Sequence, residues 1–180
     1  MSLFEHSRKA AVAFSLVALV GLSACQVRPL YSDVSPNAAG VSAPAALKSV
    51  AVVEAKTRYG QEVRNQMIFR LGGGAGEAAS PTYSLDLGVT KQVISSASIQ
   101  IDAGQTGQPT AGGVVLTSLY SLKESATGTV VSSGKRTVTA SFDRPTQQFA
   151  SLRAQRDAEN RAARELAELV YLAVAAELSK

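Results

Sequence analysis

Histidine and cysteine are almost missing from this sequence. The chain of 180 residues has one histidine, His6, and one cysteine, Cys25, so everything after residue 25 lacks both imidazole and thiol groups. This excludes histidine acid/base chemistry, Ser-His triads, thiolate nucleophiles and zinc sites built on Cys or His from that part of the chain. It also excludes a disulfide, because no second cysteine is present. Any enzymatic activity would have to rest on carboxylates or lysines.

A strongly basic block and a membrane-length apolar run are missing as well. Beyond residue 24 the chain carries 16 basic and 13 acidic residues, and so small an excess gives no indication of a nucleic-acid partner. The uncharged run from Ala10 to Ala24 has 15 residues, whereas an apolar helix needs about 20 to cross a bilayer. The run follows Arg8 and Lys9, which is the layout of an export signal. We therefore predict a cleaved signal peptide over residues 1–24.

The cysteine stands at the end of this run, in Leu22-Ser23-Ala24-Cys25. The segment resembles the lipobox of bacterial lipoproteins, in which the cysteine thiol takes a diacylglyceryl group and small side chains fit the cleavage subsites. We predict that Cys25 becomes the lipidated first residue; the alternative is a buried thiol near the end of a transmembrane anchor. One acyl chain binds a membrane only marginally, so the two or three chains of a lipoprotein are needed for stable anchoring. Gln26, in place of an aspartate, favours the outer membrane by the same resemblance.

The rest of the chain divides into a tether and one domain. From Ser32 to Ala46 the sequence is small and polar, contains Pro36 and Pro44, and shows no periodicity, which is typical of a linker. We predict a lipidated N-terminus and tether over residues 25–46. Residues 47–180 are long enough for one domain with a real core.

Hydrophobic periodicity predicts the elements of this domain. Its first half reads as a strand over Leu47 to Val53, a helix, and a strand in which Tyr83, Leu85, Leu87 and Val89 alternate with small or polar residues. The helix has Tyr59, Val63, Met67 and Leu71 on one face and ends at Gly72-Gly73-Gly74. No Gly-Lys-Ser/Thr follows these glycines, so they are a helix stop and not a phosphate-binding loop.

The second half of the domain is predicted as a hairpin followed by a long helix. A long polar stretch from Ser95 to Gly113, into which Ile99 and Ile101 could extend the preceding strand, leads to strands over Val114 to Leu122 and Thr129 to Phe142. The helix runs from about Thr146 to Leu178. Its apolar face comprises Ala154, Ala158, Ala162, Leu166, Val170, Val174 and Leu178, joined by Leu152, Leu169 and Ala173. The charged residues opposite this face, which include pairs at i+4 in Asp157–Arg161 and Arg164–Glu168, are typical of a solvated face; they are Arg153, Arg156, Asp157, Arg161, Arg164, Glu165 and Glu168.

Few side chains outside the helices are candidates for chemistry. The carboxylates that could pair for hydrolysis are Asp86, Asp102, Glu124 and Asp143, and nothing in their spacing brings two together. Nothing in the sequence indicates a metal or another cofactor. Lys135 and Arg136 differ, because the segment from Ser125 to Phe142 contains these two basic residues and no acidic one. With Arg144 they could bind the phosphates of an anionic lipid through charge-assisted hydrogen bonds; the alternative is ordinary solvent-facing strand residues.

The order of these features resembles the LptE family of outer-membrane lipopolysaccharide-assembly lipoproteins. Besides the lipobox, the matching segments are Arg28-Pro29-Leu30-Tyr31, Tyr59-Gly60 through Val63-Arg64-Asn65-Gln66, Tyr83-Ser84-Leu85-Asp86-Leu87, Leu119-Tyr120-Ser121-Leu122, and Ser141-Phe142-Asp143-Arg144-Pro145 leading into Ala158-Glu159-Asn160-Arg161-Ala162-Ala163. The resemblance implies an α/β (α+β) sandwich, with two helices packed on one face of a four-stranded mixed β-sheet. It also implies a plug inside a large β-barrel partner, LptD.

The same resemblance implies where lipopolysaccharide binds. Basic residues on the sheet and in a strand-connecting loop of the family contact the lipid's phosphates, and Arg136, with Lys135 beside it, falls at such a sheet position. The stretch from Ser95 to Gly113 departs from the family, because it contains no Lys or Arg. We expect a non-enzymatic, lipid-anchored protein on the periplasmic side of the outer membrane, which plugs and helps assemble the barrel and binds lipopolysaccharide. The alternatives are an envelope scaffold or transporter auxiliary lipoprotein without lipid recognition, and a carboxylate-dependent hydrolase.

Overall fold

The computed structural model of the chain describes residues 43–96 and 110–180. In chain order its elements are α1 (Ala43–Lys48), β1 (Val50–Val52), α2 (Arg58–Gly72), β2 (Tyr83–Ser96), β3 (Ala111–Glu124), β4 (Val130–Asp143) and α3 (Gln148–Leu178). The predicted signal peptide, the predicted lipidation site Cys25, most of the predicted tether and the centre of the long polar stretch lie outside the described residues.

The four strands form one mixed sheet in the order β1-β2-β3-β4. β1 pairs with β2 in parallel, because α2 carries the chain back to the same end of the sheet, and β2, β3 and β4 pair antiparallel. Helices α2 and α3 contact each other, and both pack on the sheet. The predicted α+β sandwich, with two helices on one face of a four-stranded mixed sheet, is confirmed.

The core lies between the sheet and the two long helices. Strand residues that alternate along the chain and oppose one another across the sheet, such as Leu85 with Leu122 and Leu116 with Val138, are buried on one face. We call this the helix side and the other the open face. Tyr59 and Ala154, the first residues of the two predicted rows, are only partly buried, and the helices bury the remaining residues: Val63, Met67 and Leu71 of α2 and Ala158, Ala162, Leu166, Val170, Val174 and Leu178 of α3. The alanines at the start of the α3 row let that helix approach the sheet closely.

Local signals set both ends of α2. Thr57 is the N-cap, and its hydroxyl accepts a hydrogen bond of 3.2 Å from the backbone N–H of Gly60. At the other end Gly73 adopts φ 60°, and its N–H bonds to the carbonyl of Phe69. A left-handed residue after the last turn favours glycine because no Cβ obstructs it. The predicted helix and its stop are confirmed.

The start of the domain differs from the prediction. The strand expected over Leu47 to Val53 is confined to Val50–Val52, and the six residues Ala43–Lys48 form helix α1 instead. Pro44 suits a first helical turn, where its missing N–H costs nothing, and alanine is the best helix former. The short helix is held by burial, since Ala46 and Leu47 are only 3% and 4% exposed. The last four residues of the predicted tether, 43–46, therefore lie in helix α1.

The long polar stretch also differs at its ends. β2 continues to Ser96 and β3 begins at Ala111, so the Gly112-Gly113 pair predicted in the loop lies within a strand. Gly112 leaves room for its neighbours, because a Cβ would lie 2.8 Å from the ring of Phe142 and 2.8 Å from the Nε atom of Arg144, and these side chains would have to shift. The glycine marks a close approach between neighbouring strands and not a turn.

One of the two ion pairs predicted along the long helix forms. Asp157 pairs with Arg161, but Glu168 pairs with Arg70 of α2 in place of Arg164. The neighbouring helix supplies a partner that spacing along one helix does not reveal. Among the described helices, none combines the length and the apolar character needed to cross a membrane.

Candidate functional site

The two basic residues predicted to bind lipid lie side by side on β4, the last strand of the sheet. Lys135 opposes Leu119, which is 61% exposed on the open face, whereas Arg136 opposes the buried Ser118 on the helix side. Because successive strand residues point to opposite faces, the two side chains do not converge on one point above the sheet. They lie on opposite faces of β4, the edge strand of the sheet, so only a ligand that crosses that edge can contact both.

Arg136 is positioned by its neighbours on β3 and β4. Its guanidinium lies 5.8 Å from the ring centroid of Tyr120, and its Nη1 donates a hydrogen bond of 2.9 Å to the carbonyl of Lys135. Tyr120 is buried across Gly134, where a Cβ would lie 2.8 Å from the tyrosine hydroxyl oxygen. The glycine thus makes room for the aromatic ring on which the guanidinium stacks.

The charges of both residues are uncompensated in this part of the chain. Among residues 43–96 and 110–180, neither Lys135 nor Arg136 forms an ion pair. Arg144, the third basic candidate, lies beyond the end of β4, where it stacks 5.5 Å from the ring of Phe142 and donates to the Ser95 hydroxyl. The structure therefore groups Lys135 with Arg136 and separates them from Arg144.

The carboxylates considered for hydrolysis do not form a pair. Asp86 and Asp143 share the open face, but Asp86 lies level with Ser133, ten residues from Asp143 along β4, which corresponds to about 33 Å. Glu124 lies on the other face, and Asp102 lies outside the described residues. Where the structure describes the chain, no group of three His, Cys, Asp or Glu side chains is placed to hold a metal ion.

A second feature, which the sequence did not reveal, is a cleft between α2, β2 and the first turns of α3. Its volume is about 500 Å³. Its lining comprises Arg58, Tyr59, Lys91, Phe149, Leu152, Arg153, Gln155, Arg156 and Glu159. We call it the basic cleft, because four of the nine residues are cations and one is an acid.

Glu159 organises the wall of the basic cleft. It is 6% exposed, and its two carboxylate oxygens accept hydrogen bonds from Lys91 Nζ at 2.8 Å and Arg58 Nη2 at 2.9 Å. Burial by itself raises the pKa of this carboxyl, but the hydrogen bonds from Lys91, Arg58 and Gln155 outweigh it, and the pKa of Glu159 lies below its ordinary value. Lys91 also lies 5.4 Å from the ring centroid of Tyr59.

Glu159 was assigned to neither face of α3 from the sequence, and the structure buries it. A usable signal was its spacing, because Glu159 stands three residues before Ala162 and seven before Leu166, on the apolar face. Leu152 was predicted on the buried apolar face of α3, but it is 54% exposed and lies beside the cleft.

Comparison with known proteins decides the family. A family model described as lipopolysaccharide-assembly, LptE, matches residues 47–174, which span the sheet and nearly all of α3. The chain belongs to the LptE family. Members of the LptE family are non-enzymatic lipoproteins of the cell envelope. This member has a role in lipopolysaccharide transport and assembly. No curated protein matches the chain.

Solved structures share the fold of this LptE-family chain. A protein from Caulobacter crescentus CB15, described as a lipoprotein, has a TM-score of 0.61 at 24% identity, and the match covers 76% of this chain and 95% of that one. A minor lipoprotein from Acinetobacter baumannii has a TM-score of 0.51 at 14% identity, covering 71% and 88%. At such identities the likeness establishes the fold alone.

Proposed function

We propose that this LptE-family protein is an outer-membrane lipoprotein, anchored through Cys25, that plugs and helps assemble an LptD-like β-barrel and binds lipopolysaccharide. The family match over residues 47–174 is the observation that carries the proposal. Lipopolysaccharide would be held along the outer edge of β4, where Lys135 and Arg136 carry charges without an acidic partner among the described residues. Phosphates are suited to such a site because both cations can donate charge-assisted hydrogen bonds.

Replacing both basic residues of β4 tests the lipid contact. We expect Lys135→Ala combined with Arg136→Ala to weaken lipopolysaccharide binding by about tenfold, the loss of two charge-assisted contacts. Thermal unfolding should change little, because Lys135 is exposed and Arg136 is half-buried at the sheet edge. A pair that removes the same charge elsewhere, Lys123→Ala with Arg164→Ala, serves as the control. Unchanged binding in the first pair, or equal weakening in both, would contradict the assignment.

The anchor is tested by changing the lipidation site. We expect Cys25→Ser to release the protein from the outer-membrane fraction, because serine provides no thiol for the diacylglyceryl group and the acyl chains supply the membrane affinity. Fractionation of membranes on a density gradient, followed by immunoblotting, measures the distribution. Retention of the serine variant in the inner membrane would indicate an uncleaved transmembrane anchor, and retention in the outer membrane would mean that the barrel partner holds the protein without its acyl chains.

The partner is tested by purification from membranes. The tagged, lipidated protein is isolated from detergent-solubilised outer membrane, and the proteins that accompany it are identified by mass spectrometry. A large β-barrel in about equal amount is the expected result. Recovery of inner-membrane transporter subunits would support a transporter auxiliary lipoprotein in its place, and recovery of no partner would contradict the plug.

A further inference from the structure

The basic cleft carries more positive charge than its own residues neutralise. Glu159 is shared by Arg58 and Lys91, and both of its oxygens are used. Arg153 and Arg156 project from the turns of α3 that precede Glu159, and they form no ion pair with any residue in the described ranges. Four cations facing one carboxylate leave about three net positive charges around one concave space, which favours the entry of an anion.

The start of α3 adds to this positive potential. Free backbone N–H groups at the beginning of a helix carry partial positive charge, which acidic side chains or an N-cap hydrogen bond ordinarily compensate. The first turn of α3 contains no acidic residue, and its N-cap, Gln147, makes no side-chain hydrogen bond. Phe149, in the same turn, lines the cleft. The helix therefore begins with an uncompensated positive end beside two arginines, a local mismatch of the kind that marks functional sites.

The rim of the basic cleft is apolar. Phe149 is 83% exposed and Leu152 is 54% exposed, and the two lie one helical turn apart on the same side of α3. Tyr59 adds an aromatic ring on the opposite wall. An inorganic anion would gain nothing from these side chains, whereas a ligand that joins a phosphate to a hydrophobic body would cover them.

We propose that the basic cleft is a binding site for the phosphate group of an amphiphile. The phosphate lies between Arg153, Arg156 and the start of α3, and the hydrophobic body lies on Phe149 and Leu152. A glycerophospholipid of net negative charge, whose headgroup carries no ammonium group to neutralise the phosphate, and lipopolysaccharide both carry this chemistry. The site is separate from the edge of β4, and the inference rests on the proposed function only where lipopolysaccharide is the source of the phosphate.

Binding to defined lipids tests the site. The chain from residue 25 onward is produced with serine in place of Cys25, so that no acyl anchor contributes to partitioning. Flotation measures its binding to phosphatidylcholine vesicles with and without phosphatidylglycerol, and to lipopolysaccharide aggregates, with inorganic phosphate as a competitor. We expect Arg153→Gln combined with Arg156→Gln to weaken binding by about tenfold or more. Lys123→Gln combined with Arg164→Gln removes the same charge outside the cleft and should leave binding unchanged.

A second double variant tests the apolar rim of the basic cleft. Phe149→Ser combined with Leu152→Ser keeps every charge and alters two exposed side chains, so we expect the fold to persist and binding to both lipids to fall. Inorganic phosphate should compete only weakly. If phosphate competes as well as the lipids do and the serine pair binds normally, the site takes a simple anion and the proposal is overturned.

The remaining outcomes are decisive as well. Weakened binding to phosphatidylglycerol vesicles identifies a phospholipid as a ligand, and weakened binding to lipopolysaccharide alone identifies that lipid. Absence of binding by the parent chain, or equal loss in the control pair, overturns the inference. The inference is also overturned if a double variant of the cleft binds both lipids normally but no longer recovers a protein partner from membranes. If lipopolysaccharide binding depends on Lys135 and Arg136, and binding to neither lipid depends on Arg153 and Arg156, the cleft inference fails alone. If lipopolysaccharide binding depends on Arg153 and Arg156 but not on Lys135 and Arg136, only the β4 site is refuted.

Discussion

Alanine in place of Leu116 is expected to lower the free energy of unfolding by about 2–5 kcal/mol. Leu116 lies in the middle of β3, is fully buried, and opposes Val138 of β4 on the helix side of the sheet. Truncation removes its transfer free energy from water and leaves a cavity that the packed sheet and α3 fill only in part. Because the domain is small, a loss of this size is a large fraction of its total stability.

Leu119 provides a matched control for this prediction. It is the same residue type in the same strand, three positions further on, but it lies on the open face and is 61% exposed. Leu119→Ala should change the free energy of unfolding by no more than about 0.5 kcal/mol. Urea unfolding followed by far-ultraviolet circular dichroism measures both variants, and it suits a chain without tryptophan. Equal losses at Leu116 and Leu119 would mean that both faces of the sheet are covered.

The contrast between these two leucines also indicates how far the sequence predicts the fold. The alternation of apolar and polar residues identified the buried face of β2, and the i+4 rows identified the buried faces of α2 and α3. These predictions succeed because side-chain direction follows from local backbone geometry. Helix α1 and the strand position of Gly112 were missed, because each depends on residues far away in the sequence that pack against them.

The candidate sites show the same division. The opposite orientations of Lys135 and Arg136 were available from period-two alternation as soon as both were assigned to one strand. The basic cleft was not available, because its cations come from α2, β2 and α3, which only the tertiary fold brings together. Family resemblance directed attention to β4, whereas the cleft follows from the structure alone.

Glutamine in place of Glu159 is expected to lower the free energy of unfolding by about 2 kcal/mol at neutral pH, the range for hydrogen bonds to charged groups. Glutamine keeps the shape of the side chain but removes the charge that Lys91 and Arg58 share. The loss should stay below the about 3–5 kcal/mol of a fully buried broken pair, because Lys91 and Arg58 are 28% and 45% exposed and water can solvate them. Glu165→Gln, at an exposed position of α3 with no ion pair in the described region, is the control.

The cost of Glu159→Gln should also depend on pH. The pKa of Glu159 is lowered in the folded protein, so its carboxylate stabilises the fold fully above the ordinary glutamate pKa of about 4.3. That stabilisation is lost as the pH falls through the lowered pKa, where protonation removes the ion pairs from the parent protein too. Urea unfolding of both proteins at neutral pH and below about pH 4 should therefore show their difference shrinking with acidification. If Glu159→Gln proved more stable at neutral pH, the desolvation cost of the buried carboxylate would exceed the gain from its three hydrogen-bond donors.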